Sequence, residues 1–162
     1  LAKLPGVHCI IVGDALFGEQ DYATRLTRLV ADLGLRDRVH FLGHRSDVPV
    51  LMQSVDAMVH PSIDPEPFGR TLVEAMLAGV PVIATDAGAA PDILEHGRAG
   101  LLVPPGDARA LAEALDAVLA EPEILAPQLA YASRRARTHY SLARMLDSIG
   151  LLIRNVHAGA VV

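Results

Sequence analysis

The sequence predicts an α/β domain, a parallel sheet flanked by helices, and three observations carry that reading. Five short apolar runs rich in β-branched residues alternate with longer segments of helical periodicity, which is the pattern of βα units. The runs are nearly continuous in Val, Ile and Leu, as strands covered on both faces require. Each run ends in small or polar loop residues, on the side where open parallel sheets take ligands.

Taken in order, Leu1-Ala2-Lys3-Leu4 reads as the tail of a helix ending at Pro5-Gly6. With no Met at position 1, the expectation is a piece of a longer chain. The first strand covers residues 7–12 and runs into Gly13-Asp14, where Asp14 reads as a turn residue or helix cap. Residues 22–33 place Leu26, Leu29, Val30 and Leu33 on one helical stripe, opposite Arg25, Arg28 and Asp32. A second strand, 38–42, leads to Gly43-His44-Arg45. A short helix over 47–55 follows, capped by Ser46. The third strand, 56–60, opens onto Pro61-Ser62, and the helix over 70–78 stops at Gly79 with Pro81 beyond it. Strands 81–85 and 100–103 end in Thr85-Asp86-Ala87-Gly88 and Pro104-Pro105-Gly106. Asp107 then caps a helix over 108–119, and helices over 123–138 and 141–156 close the chain. Ala160-Val161-Val162 reads as a fraying tail.

With 162 residues, 51% of them hydrophobic, the chain is one domain by length and can bury a core. A net charge of −5 argues against a nucleic-acid partner, because neutralising phosphates needs a basic surface. The single cysteine, Cys9, lies in an apolar run, excludes a disulfide framework and reads as a small buried hydrophobe. Asp86 and Arg154 interrupt the longest apolar stretches, so no transmembrane segment is expected. The expectation is a soluble, cytoplasmic domain.

The segment richest in chemistry is Pro61-Ser62-Ile63-Asp64-Pro65-Glu66-Pro67-Phe68-Gly69. Pro65 and Pro67 flank Glu66 and restrict the turn that carries its carboxylate. Gly69 allows close backbone approach, and Arg70, Thr71 and Leu72 offer unpaired N–H groups at a helix start. Such an end attracts anions, by about 0.3–2 kcal/mol per charge, and a diphosphate fits it. Glu74, in the first turns of the same helix, is suited to accept hydrogen bonds from a vicinal diol such as a ribose, each worth roughly 1.5–3 kcal/mol. Sugar, diphosphate and ribose are the parts of a nucleotide sugar in order.

These residues also resemble a known signature. Glu66-Pro67-Phe68-Gly69, Glu74-Ala75-Met76 and Ala78-Gly79-Val80-Pro81-Val82-Ile83-Ala84-Thr85 are similar to the E-x7-E segment of family-4 (group 1) glycosyltransferases. Val39-His40-Phe41-Leu42-Gly43 upstream, and Gly97 with Gly100-Leu101-Leu102-Val103-Pro104 downstream, extend the resemblance over nearly the whole chain. It implies the GT-B fold of two Rossmann-like domains, with residues 1–162 as the C-terminal, donor-binding one. By the same resemblance Glu66 lies beside the donor sugar as the catalytic carboxylate. Backbone amides of Phe68, Gly69, Arg70, Thr71 and Leu72 hold sugar and diphosphate, and Glu74 holds the ribose. The loop His44-Arg45 packs against the base, with Gly13 at the neighbouring strand end. The donor is a UDP- or GDP-hexose, transfer proceeds with retention, and no cofactor or metal is expected. Catalysis is then electrostatic stabilisation of the departing diphosphate.

Two departures stand out. Gly88-Ala89-Ala90-Pro91-Asp92 replaces the family's usual Gly-Gly followed by Glu. The family's domain also begins with a strand and a Gly-Arg…Lys-Gly segment, for which nothing here precedes Leu1. Lacking that central strand and its helix, the sheet is expected to break between strands 7–12 and 56–60, closed by rearrangement or by a neighbouring chain. The acceptor site then belongs to a missing N-terminal domain, and the isolated piece is expected to be inactive.

Other readings are weighed beside this one. Glu66 and Glu74 are also what two solvated carboxylates near a helix start would look like. Arg45 reads more simply as an exposed cation. His40 and His44, four apart on a strand rather than a helix, do not make a metal site. His60 reads as a core or rim histidine within reach of a ligand. The stripe Leu142, Met145, Leu146, Ile149, Leu152 and Ile153 packs on this domain or, in a GT-B enzyme, partly faces the other domain and invites self-association. A non-catalytic nucleotide-sugar binding module is the main alternative function, although it has no need of Glu66. The acidic cluster and phosphorylatable Asp of a receiver domain are absent. A glycosidase pair cannot be built from neighbours on one turn.

Overall fold

The computed structural model describes residues 1–16, 18–157 and 159, so the expected tail at 160–162 lies outside the described residues. The chain divides into two compact units, Leu1–Leu51 and Met52–Val162, each described by itself.

In the first unit, strand β1 (Cys9–Ile11) pairs in parallel with β2 (Val39–Phe41), connected through helix α1 (Gln20–Asp32). Leu4, Leu35 and Val39 form its small buried set, and Arg38 secures the N-terminal turn by donating to the carbonyls of Leu1 and Leu4 at 3.1 and 2.8 Å. Side chains alternate across a strand, and Ile10 and His40, paired in register, are exposed. Coverage of these strands on both faces, expected from their apolar run, is therefore not found in this unit. The α1 stripe is corrected likewise. Leu26 and Val30 are half-buried, but Leu29 and Leu33 are exposed. Cys9 is only half-buried, and that burial pushes its thiol pKa up.

Helix α2 (Val48–Gln53) contains the boundary between the units. The Asp47 carbonyl accepts its first backbone bonds, from Val50 and Leu51 at 2.9 and 3.1 Å. Asp47 thus takes the capping position expected of Ser46.

The second unit holds strands β3 (Met58–His60), β4 (Val82–Thr85) and β5 (Leu101–Val103), parallel and in spatial order β3-β4-β5. Helices α3 (Arg70–Ala78), α4 (Ala90–Ile93), α5 (Ala108–Ala120), α6 (Ala126–His139) and α7 (Leu142–His157) complete it, with a 3-10 turn at Pro122–Leu125. All four residues of central β4 are buried, and its pleat divides the core. Val82 and Ala84 pack with Leu72, Val73, Ala75 and Met76 of α3, Ile93 of α4, and Ala132 and Ala136 of α6. Ile83 faces Val118 of α5 and Val103 of β5. Both faces are covered here, as the continuous apolar runs require. The five expected strands are all present but shorter, and β1 and β3 fall in different sheets, in accord with the expected break between them. Helix α4 had no counterpart in the sequence reading, because four residues are too few to show periodicity.

Asp107 caps α5 as expected, accepting from the amides of Arg109 and Ala110 at 3.0 and 2.9 Å. Packing of the α7 stripe on the core is overturned. The helix has no buried residue, and Leu142, Met145, Leu146, Ile149, Leu152 and Ile153 are all exposed. No described helix is long and apolar enough to cross a membrane.

Helix α6 grips the turn after α4 with one face. Gln128 donates to the Gly97 carbonyl at 3.0 Å, and Arg135 to the carbonyls of Ile93 and Asp92 at 3.1 and 2.8 Å. Tyr131 donates its hydroxyl to Glu95, which also meets Arg135 and Arg98. The Tyr131 bond is the main reason the Glu95 carboxyl is held below its ordinary pKa, and it raises that of Tyr131. A lowered carboxyl contributes stability above its unfolded pKa that is lost as pH falls through the folded value. The raised phenol contributes below its unfolded pKa and loses that as pH rises through its folded value. On acidification below about pH 4.5, the melting temperature of the native chain is therefore expected to fall more steeply than that of Glu95→Gln. Parallel curves from pH 7 to 3 would show that this carboxylate carries none of the acid sensitivity.

Candidate functional site

The loop after β3 is held by three contacts from its neighbours. Thr85, buried at the end of β4, donates its hydroxyl to the Ser62 carbonyl at 2.6 Å. The Ala89 amide donates to the Glu66 carbonyl at 3.0 Å. His60 Nε2 lies 2.6 Å from Glu66 Oε2. Gly88 permits the second contact by having no side chain. A Cβ there would stand 2.4 Å from the Glu66 carbonyl oxygen and 2.5 Å from its nitrogen, and its φ of 58° favours glycine besides. Glu66 is thus fixed through backbone and carboxylate, with Oε1 unbonded among the described residues.

The loop then enters α3 through Gly69, which adopts a left-handed φ of 72°. Leu72 differs from the other residues named at this turn. Its N–H already bonds the Gly69 carbonyl at 3.0 Å and its side chain is buried. The amides of Phe68, Gly69, Arg70 and Thr71 have no protein acceptor among the described residues, which leaves four donors at a positive helix end. Phe68 packs edge-on against Tyr140, ring centroids 5.8 Å apart. The Glu74 side chain is 42% exposed and, among the described residues, meets only the exposed end of Arg70, at 3.5 Å, so its carboxylate is open to solvent. Its exposed partner adds little, as surface ion pairs do.

Gly13, His44 and Arg45 lie at the ends of β1 and β2 in the first unit, where the two loops are knitted together. The Gly13 amide donates to the Gly43 carbonyl at 2.9 Å, and the His44 amide to Asp14 Oδ2 at 3.1 Å. Asp14 is therefore a clamp between loops rather than a cap of α1, which begins at Gln20. Arg45 makes a two-pronged bond with Asp47 at 2.8 and 2.7 Å, which raises its own pKa and lowers that of Asp47. His40 stacks on His8 with ring centroids 5.4 Å apart.

Sequence reasoning missed the contributions of Thr85, at the end of β4, and of Gly88 and Ala89, from the loop after it. His60 was placed near the site, but its Nε2 is spent on Glu66 rather than turned to a ligand. The only signal available was the Gly at a strand end, which does not say whose backbone approaches.

A parallel sheet, with one fixed carboxylate on the loop after β3 and open amides and a second carboxylate at the start of α3, defines an α/β domain with groups that can accept from hydroxyls and donate to an anion. The profile described as glycosyl transferases group 1 matches residues 1–138, and the chain belongs to that family. It is 47% identical over 88 residues to a phosphatidyl-myo-inositol mannosyltransferase of Mycobacterium leprae, covering 53% of this chain and 24% of that protein. Anabaena HepE in complex with UDP-glucose superposes with a TM-score of 0.89 at 41% identity, over 94% of this chain and 42% of HepE. The C-terminal domain of a group 1 glycosyl transferase from Francisella tularensis gives 0.75 at 27% identity, over 86% of this chain and 73% of that one. The chain thus spans a minor part of the full-length relatives, and its architecture is that of a GT-B half.

Proposed function

We infer that this chain is the donor-binding half of a retaining glycosyltransferase that moves a hexose from a nucleotide diphosphate sugar to an acceptor. The observation that carries the reading is the order of groups along one turn: Glu66 clamped with one oxygen free, four open amides from Phe68 to Thr71, then Glu74. A sugar hydroxyl on Glu66, a diphosphate on the amides and a ribose on Glu74 use each group once. The complex of HepE, which this chain resembles in fold and sequence, with UDP-glucose supports it. Fixed amides at the helix end stabilise the departing diphosphate without reorganising and without a metal. Gly13, His44 and Arg45 receive the base. The acceptor binds an N-terminal domain of a longer, cytoplasmic chain, so residues 1–162 alone transfer no sugar. The exposed face of α7 docks that domain, or a second copy in its absence.

Calorimetric titration with UDP, GDP, UDP-glucose and GDP-mannose tests this reading. Binding that prefers one base, weakened in Glu74→Ala by about 2–3 kcal/mol or roughly 30–150-fold, is expected. Loss of no affinity in Glu74→Ala removes the ribose assignment. Absence of binding in the full natural chain removes the donor site altogether.

A further inference from the structure

We propose that His60 is a positioning residue for the sugar end of the site, acting through Glu66; the assignment rests on the donor reading above. His60 closes β3, and its side chain is 12% exposed against 43% for Glu66. Its Nε2 lies 2.6 Å from Glu66 Oε2, while its Nδ1 is buried with no hydrogen-bond partner among the described residues. An ionised carboxylate only accepts, so Nε2 carries the hydrogen and donates it. A hydrogen on Nδ1 as well would be a buried donor with no acceptor, so the orphan atom is best left as a lone pair. The ring is then the neutral Nε2–H tautomer.

The consequence lies in the geometry of Glu66. A glutamate on a loop has three side-chain torsions to lose when it meets a ligand. Here one oxygen is already pinned by a ring that is itself packed at a strand end, and the backbone is pinned by Ala89. Oε1 is left to take a single sugar hydroxyl, with its direction set before the donor arrives. His60 touches no part of the proposed donor and is not a catalytic residue.

Two variants of the full natural chain separate positioning from mere packing. His60→Met keeps bulk and removes the donor; His60→Gln restores an N–H near the place of Nε2. Calorimetry compares the sugar nucleotides UDP-glucose and GDP-mannose with UDP and GDP alone. His60→Met is expected to weaken the preferred sugar nucleotide about tenfold and leave the bare nucleotide unchanged, with His60→Gln recovering most of the loss. Equal weakening of both ligands, or no recovery in His60→Gln, overturns the positioning role while the donor reading stands. A native chain that binds neither ligand overturns the donor reading, and the inference with it. Should His60→Met not fold, imidazole 15N shifts of the native protein decide. The Nε2–H tautomer, altered by Glu66→Gln, is expected; the Nδ1–H tautomer, or indifference to that change, overturns the proposal.

Discussion

Gly88→Ala is expected to destabilise the protein by about 2–5 kcal/mol, and to weaken sugar-nucleotide binding further. The left-handed backbone at φ 58° costs an alanine roughly 1–2 kcal/mol. The new Cβ would also stand 2.4–2.5 Å from backbone atoms of Glu66, with no flexible side chain to give way. Forced displacement in a packed site costs typically 1–3 kcal/mol more. The strain releases only if the Glu66 turn retreats, which breaks the Ala89–Glu66 bond and carries the carboxylate with it. A shift of about 1 Å in a positioning group can cost of the order of a hundredfold in rate. Thermal melts report the first effect, and UDP-glucose affinity in the full natural chain reports the second. An unchanged melting temperature would mean that the two loops do not approach as closely as described.

Ile83→Ala is expected to cost about 2–5 kcal/mol, as deletions of fully buried aliphatic side chains do. Ile83 is 0% exposed at the middle of the central strand, between β3 and β5, and faces Val118 of α5 and Val103. Main-chain pairing on both sides holds β4 in place, so the cavity cannot collapse readily. Ile149→Ala on the exposed face of α7 is the control, and a change within about 0.5 kcal/mol is expected there. Denaturant melts of the two variants give the contrast directly. Similar losses would show that α7 is buried in solution, against another copy or elsewhere on the chain.

The legible part of the fold is local. Continuous apolar runs mark β4 and its neighbours because a strand buried on both faces has no polar side to show. Gly79 and Asp107 mark a helix end and a helix start because each satisfies backbone groups in a way few residues can. The turn around Glu66 is visible because Pro65, Pro67 and Gly69 restrict or free the backbone at set positions. Burial is less legible. An apolar pattern describes both α3, which is sunk into the core, and α7, which has no buried residue. A stripe states that a helix has a face to bury and says nothing of what covers it.

The site divides in the same way. The groups proposed to bind the donor, Glu66, Glu74 and the amides from Phe68 to Thr71, are legible in the sequence by itself, because they and the turn that presents them lie within nine residues. How they are held was decided only in three dimensions. Gly88, Ala89 and Thr85 reach the loop from a different strand end, and His60 reaches Glu66 across the turn. The contacts from Gly88, Ala89 and Thr85 join residues distant along the chain, whose approach depends on how β3 and β4 pair. Local residue preferences set each element, but the closeness of two loops is a property of the sheet that brings them together.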